Sequence, residues 1–269
     1  MHIVVTIFML IFSVNFSSYY LVLKRRFKDA LNFEVRIFFL IVIVATVTIA
    51  LNIYYSDYSP EQVETLTGVV GSEYVPGEGY SLANAFKQAA FNVASIVSTS
   101  GFGTENFVAW PELSQIIIML IMFIGACAGS TGGGFKLSRV LILVKGALKE
   151  LKTAIHPRQV KRITIDNRPV ENEVVKSVNS YIAIYLVVFA ISLILISIDP
   201  FVTDLTTGIS STLTTLNNVG PGFGAVGPAS NFAGYSWFSK LVLSFNMIAG
   251  RLELLPMLIL FAPATWRKN

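Results

Sequence analysis

Across 269 residues the chain is 54% hydrophobic and 13% charged, with a mean hydropathy of +0.65; it is too apolar for a water-soluble domain and too aromatic for a disordered one. The net charge of +4 does not describe a nucleic-acid surface, because the basic residues fall in short loops between apolar spans, where they report topology. An integral membrane protein surrounded by lipid is expected, with no nucleic-acid partner.

Residues 1–23 lack a basic leader, their apolar run exceeds the core of a secretion signal, and Lys24, Arg25 and Arg26 follow the run. The segment therefore reads as a retained transmembrane helix. Residues 24–36 form a basic loop, and residues 37–55 form a second span, long enough at about 1.5 Å per residue to cross roughly 30 Å of hydrocarbon. An acidic stretch with Asp57, Glu61, Glu64, Glu73 and Glu78 comes next. It leads to a short helix, residues 83–97, too brief to span, and then to the turn "STSGFGT" with Glu105 beyond it in an outer vestibule.

A long apolar segment over residues 113–144 is interrupted by "GACAGSTGGG", residues 125–134. Each glycine costs about 1 kcal/mol relative to alanine within a helix, so the segment should break there. Small residues also let membrane helices approach, but three consecutive glycines exceed what packing needs. Cys127, the single cysteine, forms no internal disulfide and reads as a small packing residue. In the basic linker, residues 148–176, "VKRITIDNRPV" reads as a small β-hairpin turning at "DN", and His156 is structural rather than a metal ligand. A further span over residues 181–198 precedes Asp199, Asp204, a short helix over 205–216 and the turn "NNVGPGFGAVG". The last span, residues 238–261, carries Arg251 and Glu253.

Placing the basic segments in the cytoplasm and the acidic ones outside gives five spans, an outside N-terminus and an inside C-terminus. The fold expected is an all-α membrane protein with tandem parallel repeats of helix, re-entrant pore helix and helix. The repeats cover residues 37–147 and 177–269, preceded by the extra helix of residues 1–23, and their axis lies along the membrane normal.

Irregular backbone at membrane depth survives only where protein or a watery cavity surrounds it. A re-entrant helix ending in glycine points about half a negative charge at the bilayer centre, and the following carbonyls can replace the hydration shell of a monovalent cation. The turns' glycine motifs carry no carboxylate, which argues against a divalent site. A charge as deep as Arg251 costs on the order of 3 kcal/mol unless a cavity or partner receives it. Glu253, two residues on, faces another side of the helix and is expected to pair with Lys136 or Arg139.

Four stretches, "FNVASIVSTSGFGTENF", "GACAGSTGGGFKLSRVLILVK", "LTTLNNVGPGFG" and "NMIAGRLELLP", resemble the third and fourth pore repeats of the Trk/Ktr/HKT potassium transporters, most closely the TrkH-type subunits. The resemblance covers nearly the whole chain, with residues 1–23 similar to the helix closing the second repeat. It implies K⁺ uptake across the plasma membrane through a four-repeat pore. Gly101 and Gly220 would be filter glycines, with Thr99, Ser100, Asn218 and Val219 as potassium-binding neighbours and K⁺ as the only bound metal. An intramembrane gate would comprise Gly129, Gly132, Gly133, Gly134 and Lys136, with Arg251 reaching its carbonyls. The implied partners are a missing N-terminal half or a second copy, a homodimer of complete pores, and a cytosolic nucleotide-binding subunit contacting the hairpin. Two repeats cannot close a ring, so truncation is the favoured reading and an inactive half an alternative. A secondary transporter of another solute would need inverted repeats. No catalytic set, nucleotide loop or zinc spacing indicates an enzyme, and no cofactor is expected.

Overall fold

The computed structural model of the chain describes residues 1–56, 81–156, 162–166, 168–252, 254–261 and 263–266. The acidic stretch from Asp57 to Glu78, Asn167 of the expected hairpin turn, and Glu253 with its expected pairing to Lys136 or Arg139 lie outside the described residues.

The first segment is two helices, α1 (His2–Ser13) and α2 (Phe16–Leu23), bent by 96°. This corrects the expectation of one uninterrupted helix over residues 1–23. Asn15 is the cause: its side chain accepts the Ser17 N–H at 2.8 Å and starts a new helix. The backbone groups freed at the break find partners far along the chain, with Cys127 N–H donating to Ser13 O and Phe16 N–H to Gly129 O, both at 3.1 Å.

After the single turn α3 (Phe27–Ala30), Asn32 caps α4 (Phe33–Tyr55) by accepting the Val35 N–H. Helix α5 (Leu82–Ser98) begins at its cap Ser81 and is followed by α6 (Glu112–Ile124) and α7 (Leu137–Ile155). Strands β1 (Thr164–Ile165) and β2 (Arg168–Pro169) pair antiparallel, Ile165 opposite Arg168, as the linker's composition predicts. Then come α8 (Asn172–Ile196), α9 (Leu205–Asn217), α10 (Trp237–Arg251) and α11 (Leu254–Phe261).

Among the described residues only α4 and α8 are single helices long and apolar enough to cross a membrane. The break between α6 and α7 is the one the glycines predict. The expected span over residues 238–261 is also two helices, α10 and α11. Pro256 supplies the reason: it has no N–H for a bond to the Leu252 carbonyl, and its ring would crowd that carbonyl in a continuous helix. As the third residue of α11 it stands in the first turn, where backbone N–H groups have no acceptor within the helix.

The core sits around the two short helices. One stripe of α4, Val35, Phe38, Val42, Ala45, Ile49 and Ile53, packs on Ala85, Ala89, Val93 and Ile96 of α5 and on Ile118 and Met122 of α6. Alanines on α5 allow the close approach. Helix α9 is enclosed by α8, α10 and α6, and its residues from Ser210 to Asn217 are all buried. The protein is thus mostly helical, and its apolar spans are those of a membrane protein.

Candidate functional site

Helices α5 and α9 end alike. Thr99 and Asn218 adopt the left-handed conformation, with φ of 56° and 55°. At the first end, Thr99 N–H donates to Ile96 O and Ser100 N–H to Ser95 O, both at 3.1 Å. At the second, Asn218 N–H donates to Thr215 O at 3.2 Å and Val219 N–H to Thr214 O at 2.9 Å. Both are Schellman closures, which satisfy the last carbonyls and turn the chain away from the axis. A glycine with positive φ follows each closure after one residue: Gly101 at 73° and Gly220 at 114°.

The two glycines meet. A Cβ on Gly101 would stand 2.7 Å from Val219 O, and one on Gly220 would stand 3.3 Å from the Gly101 Cα. Only glycine permits both this approach and these dihedrals. Beside the contact opens a cavity of 640 Å³ lined by Thr99, Ser100, Asn218, Val219 and Gly220, while Gly101 packs against Gly220. Lys240 also reaches this cavity, its Nζ held by Ala233 O at 2.8 Å.

Hydroxyls on α9 fix the second turn. Thr214 Oγ1 accepts the Gly220 N–H at 3.0 Å and donates to Pro221 O at 3.2 Å. Ser210 Oγ donates to Phe223 O at 3.0 Å and accepts the Phe223 N–H at 2.9 Å. Thr207 Oγ1 accepts the Ala225 N–H at 3.0 Å and donates to Asp204 Oδ1 at 2.7 Å. At the first turn, Thr104 Oγ1 donates to Gln88 Oε1 at 2.7 Å and accepts from Asn92 Nδ2 at 3.4 Å. None of these positioning residues is among the expected site residues. For those on α9 the signal is the run of serines and threonines recurring at helical spacing in "LTTGISSTLTTLN", whose polarity is out of place in a buried helix.

Below the two helix ends lies the glycine segment, with positive φ at Gly125, Gly129, Gly134 and Lys136. Gly133 N–H donates to Thr99 Oγ1 at 2.7 Å, which also secures a β-branched residue in a left-handed conformation. A Cβ on Gly133 would lie 2.4 Å from Asn217 O, and one on Gly132 would lie 2.6 Å from the Ala126 Cβ and 3.3 Å from Ser98 O. Gly129 abuts Asn15, at the bend of α1 and α2. The segment is therefore wedged against the last turns of α5 and α9.

Two cations hold its carbonyls. Lys136 Nζ donates to Gly132 O, and Arg251 Nη1 donates to Thr131 O at 3.0 Å. The Arg139 guanidinium lies 4.0 Å over the Tyr181 ring. Glu34, not among the expected site residues, accepts the Ala128 N–H at 2.8 Å. Its position two residues after Asn32 reads as the end of a basic loop, which hides its burial.

A family model described as TrkH, cation transport protein, matches residues 1–268. The chain is 38% identical over 191 residues to the Trk system potassium uptake protein TrkH of Salmonella typhimurium, covering 70% of this chain and 38% of that one. It is 29% identical over 262 residues to the Trk system potassium uptake protein TrkG of Escherichia coli K12, covering 97% and 49%. The crystal structure of the potassium transporter TrkH from Vibrio parahaemolyticus matches with a TM-score of 0.80 at 31% identity, over 99% of this chain and 53% of that one. The chain thus spans about half, or less, of the length of these relatives. On the family match and the shared fold, the chain belongs to the TrkH family of cation transport proteins.

Proposed function

We propose that this chain contributes two pore repeats to a K⁺-conducting pathway, each repeat being an outer helix, a re-entrant pore helix and a broken inner helix. Thr99, Ser100 and Gly101 in one repeat, and Asn218, Val219 and Gly220 in the other, supply half of a ring of oxygens around the ion. The observation that carries the reading is the meeting of two identically closed helix ends at Gly101 and Gly220 beside a cavity. The relatives' names, which are those of potassium uptake proteins, support the choice of ion. Peptide and hydroxyl oxygens suit a monovalent cation, and the helix ends add partial negative charge.

In this reading the segment from Gly125 to Gly134 obstructs the path beneath the filter. The bonds from Lys136 to Gly132 O and from Arg251 to Thr131 O hold it there. The rest of the ring comes from repeats outside this chain or from a second copy, within the plasma membrane. Dimers of complete pores and a cytosolic nucleotide-binding subunit at the hairpin complete the proposed assembly. Uptake of Rb⁺ into vesicles tests the proposal. The chain combined with the remaining repeats of its pore should take up Rb⁺, and replacing Gly101 with alanine should abolish it. Equal uptake by the glycine and alanine forms would refute the filter assignment.

A second reading, an assembly-only half, is favoured by the coverage of 38–53% of the relatives. It predicts that the full set of repeats assembles around this chain yet passes no Rb⁺.

A further inference from the structure

Glu34 is a carboxylate in the first turn of α4 with only 9% of its surface exposed. A group so enclosed stays only where polar partners replace water. It accepts the N–H of Ala128, inside the glycine segment, at 2.8 Å, and the backbone of Ser138 and the charge of Lys136 also act on it. Charge-assisted bonds of this kind are about twice as strong as neutral ones.

The neighbouring residue is engaged from the other side. Phe33 N–H, one of the donors that a helix start leaves without an internal acceptor, donates to Asp166 Oδ1 at 2.8 Å. Asp166 forms the turn of the β1–β2 hairpin, with φ of 49°. The hairpin is fastened to the same place by Lys145 of α7, whose Nζ donates to Thr164 O at 2.7 Å and lies 4.1 Å over the Phe33 ring. Ile163, just before β1, is buried. Two adjacent residues of α4 therefore carry two bonds: Phe33 to the hairpin, and Glu34 to the glycine segment.

We propose that Glu34 is a positioning residue that anchors the glycine segment and ties it to the cytoplasmic hairpin, so that displacement of Asp166 is felt at Ala128. The tie rests on contacts alone; its use in conduction rests on the reading of the glycine segment as a gate. A partner that moves the hairpin thereby acquires a route to the segment that runs through two adjacent residues of α4.

The test is amide hydrogen exchange of residues 126–131, with Rb⁺ uptake measured in parallel, on the complete transporter in lipid nanodiscs. Glu34→Ala should speed exchange of this segment by about tenfold, and Asp166→Ala, at the exposed turn, by about threefold. Asp166→Asn keeps an acceptor and tolerates the left-handed turn, so it should exchange like the parent. The double variant should be no faster than Glu34→Ala, and residues 205–217 should be unaffected, which general loosening of the fold would not produce. An unchanged segment in Asp166→Ala, or effects of the two substitutions that multiply, overturns the proposal. Asp166→Ala and Asp166→Asn decide it even where Glu34→Ala fails to assemble. Faster exchange with unaltered Rb⁺ uptake keeps the tie and removes the gate reading instead.

Discussion

At Gly101 two independent constraints coincide. Its φ of 73° is costly for any residue with a Cβ, by about 1–2 kcal/mol, and the added carbon would stand 2.7 Å from Val219 O. Gly103 carries neither burden, because its Cβ would meet the Pro228 Cβ at an ordinary 3.4 Å. Gly101→Ala should therefore cut Rb⁺ uptake by the assembled pore more than tenfold, while Gly103→Ala should stay within twofold; equal effects would dissociate the contact from conduction. Thr214 makes a subtler case. Thr214→Val keeps the shape but orphans the Gly220 N–H and the Pro221 carbonyl, a loss of about 1–3 kcal/mol. Preference for Rb⁺ over Na⁺ should fall in competition uptake, and Thr214→Ser should restore it. Arg251→Ala removes the bond to Thr131 O and should raise flux through the resting pore; unchanged flux would mean the arginine does not hold the gate.

At the scale of elements, each short helix starts at a side-chain cap and ends in a closure; in the sequence both are legible as segments too brief to span, each followed by a glycine turn. The short helices expected over residues 83–97 and 205–216 agree with α5 (Leu82–Ser98) and α9 (Leu205–Asn217) to within one residue. Ser81 and Asp204 mark the starts, and Gly101 and Gly220 sit just past the ends. The bend between α1 and α2 was not readable, because Asn15 is one polar residue in an apolar run and its broken backbone is satisfied by Cys127 and Gly129, more than a hundred positions away. Glu34 escaped for the same reason: its partner Ala128 stands 94 positions along the chain. The α8–α9 corner depends on Asp199, which accepts the Ser236 N–H at 2.8 Å and the Phe201 N–H at 3.0 Å. Burial pushes its pKa up, but the Ser236 hydroxyl, the Phe201 N–H and Ser239 outweigh this and hold the carboxyl well below the carboxylate range. A depressed folded pKa contributes stability above the unfolded value of about 4 and loses it as pH falls through and below that value. Thermal unfolding midpoints should accordingly drop below about pH 4, and Asp199→Asn should flatten that dependence. Gly250 sets another limit, since a Cβ there would lie 1.8 Å from Leu216 O. Gly250→Ala should push α10 off α9 and lower the unfolding midpoint by several degrees, as overpacking by about 1–3 kcal/mol would.

Taken whole, the molecule brings two short helices, their glycine turns and one glycine segment together: the turns flank the cavity beside Gly101 and Gly220, and the segment packs against the last turns of both helices. Charge alternation and glycine placement reveal that plan because both are imposed by the bilayer rather than by particular contacts. The hydroxyl ladder of α9 and the links among Asn15, Glu34 and the glycine segment arise from three-dimensional neighbourhood, which composition does not encode. The chain matches 53% of the length of the Vibrio parahaemolyticus structure, and the proposed ring of oxygens takes its remaining members from outside these two repeats. The location of the ion tests the account most directly. Crystals of the complete transporter grown with Rb⁺ should give an anomalous peak facing both Thr99 to Gly101 and Asn218 to Gly220; an ordered cation bound elsewhere in the pore, with none between these two turns, would contradict it.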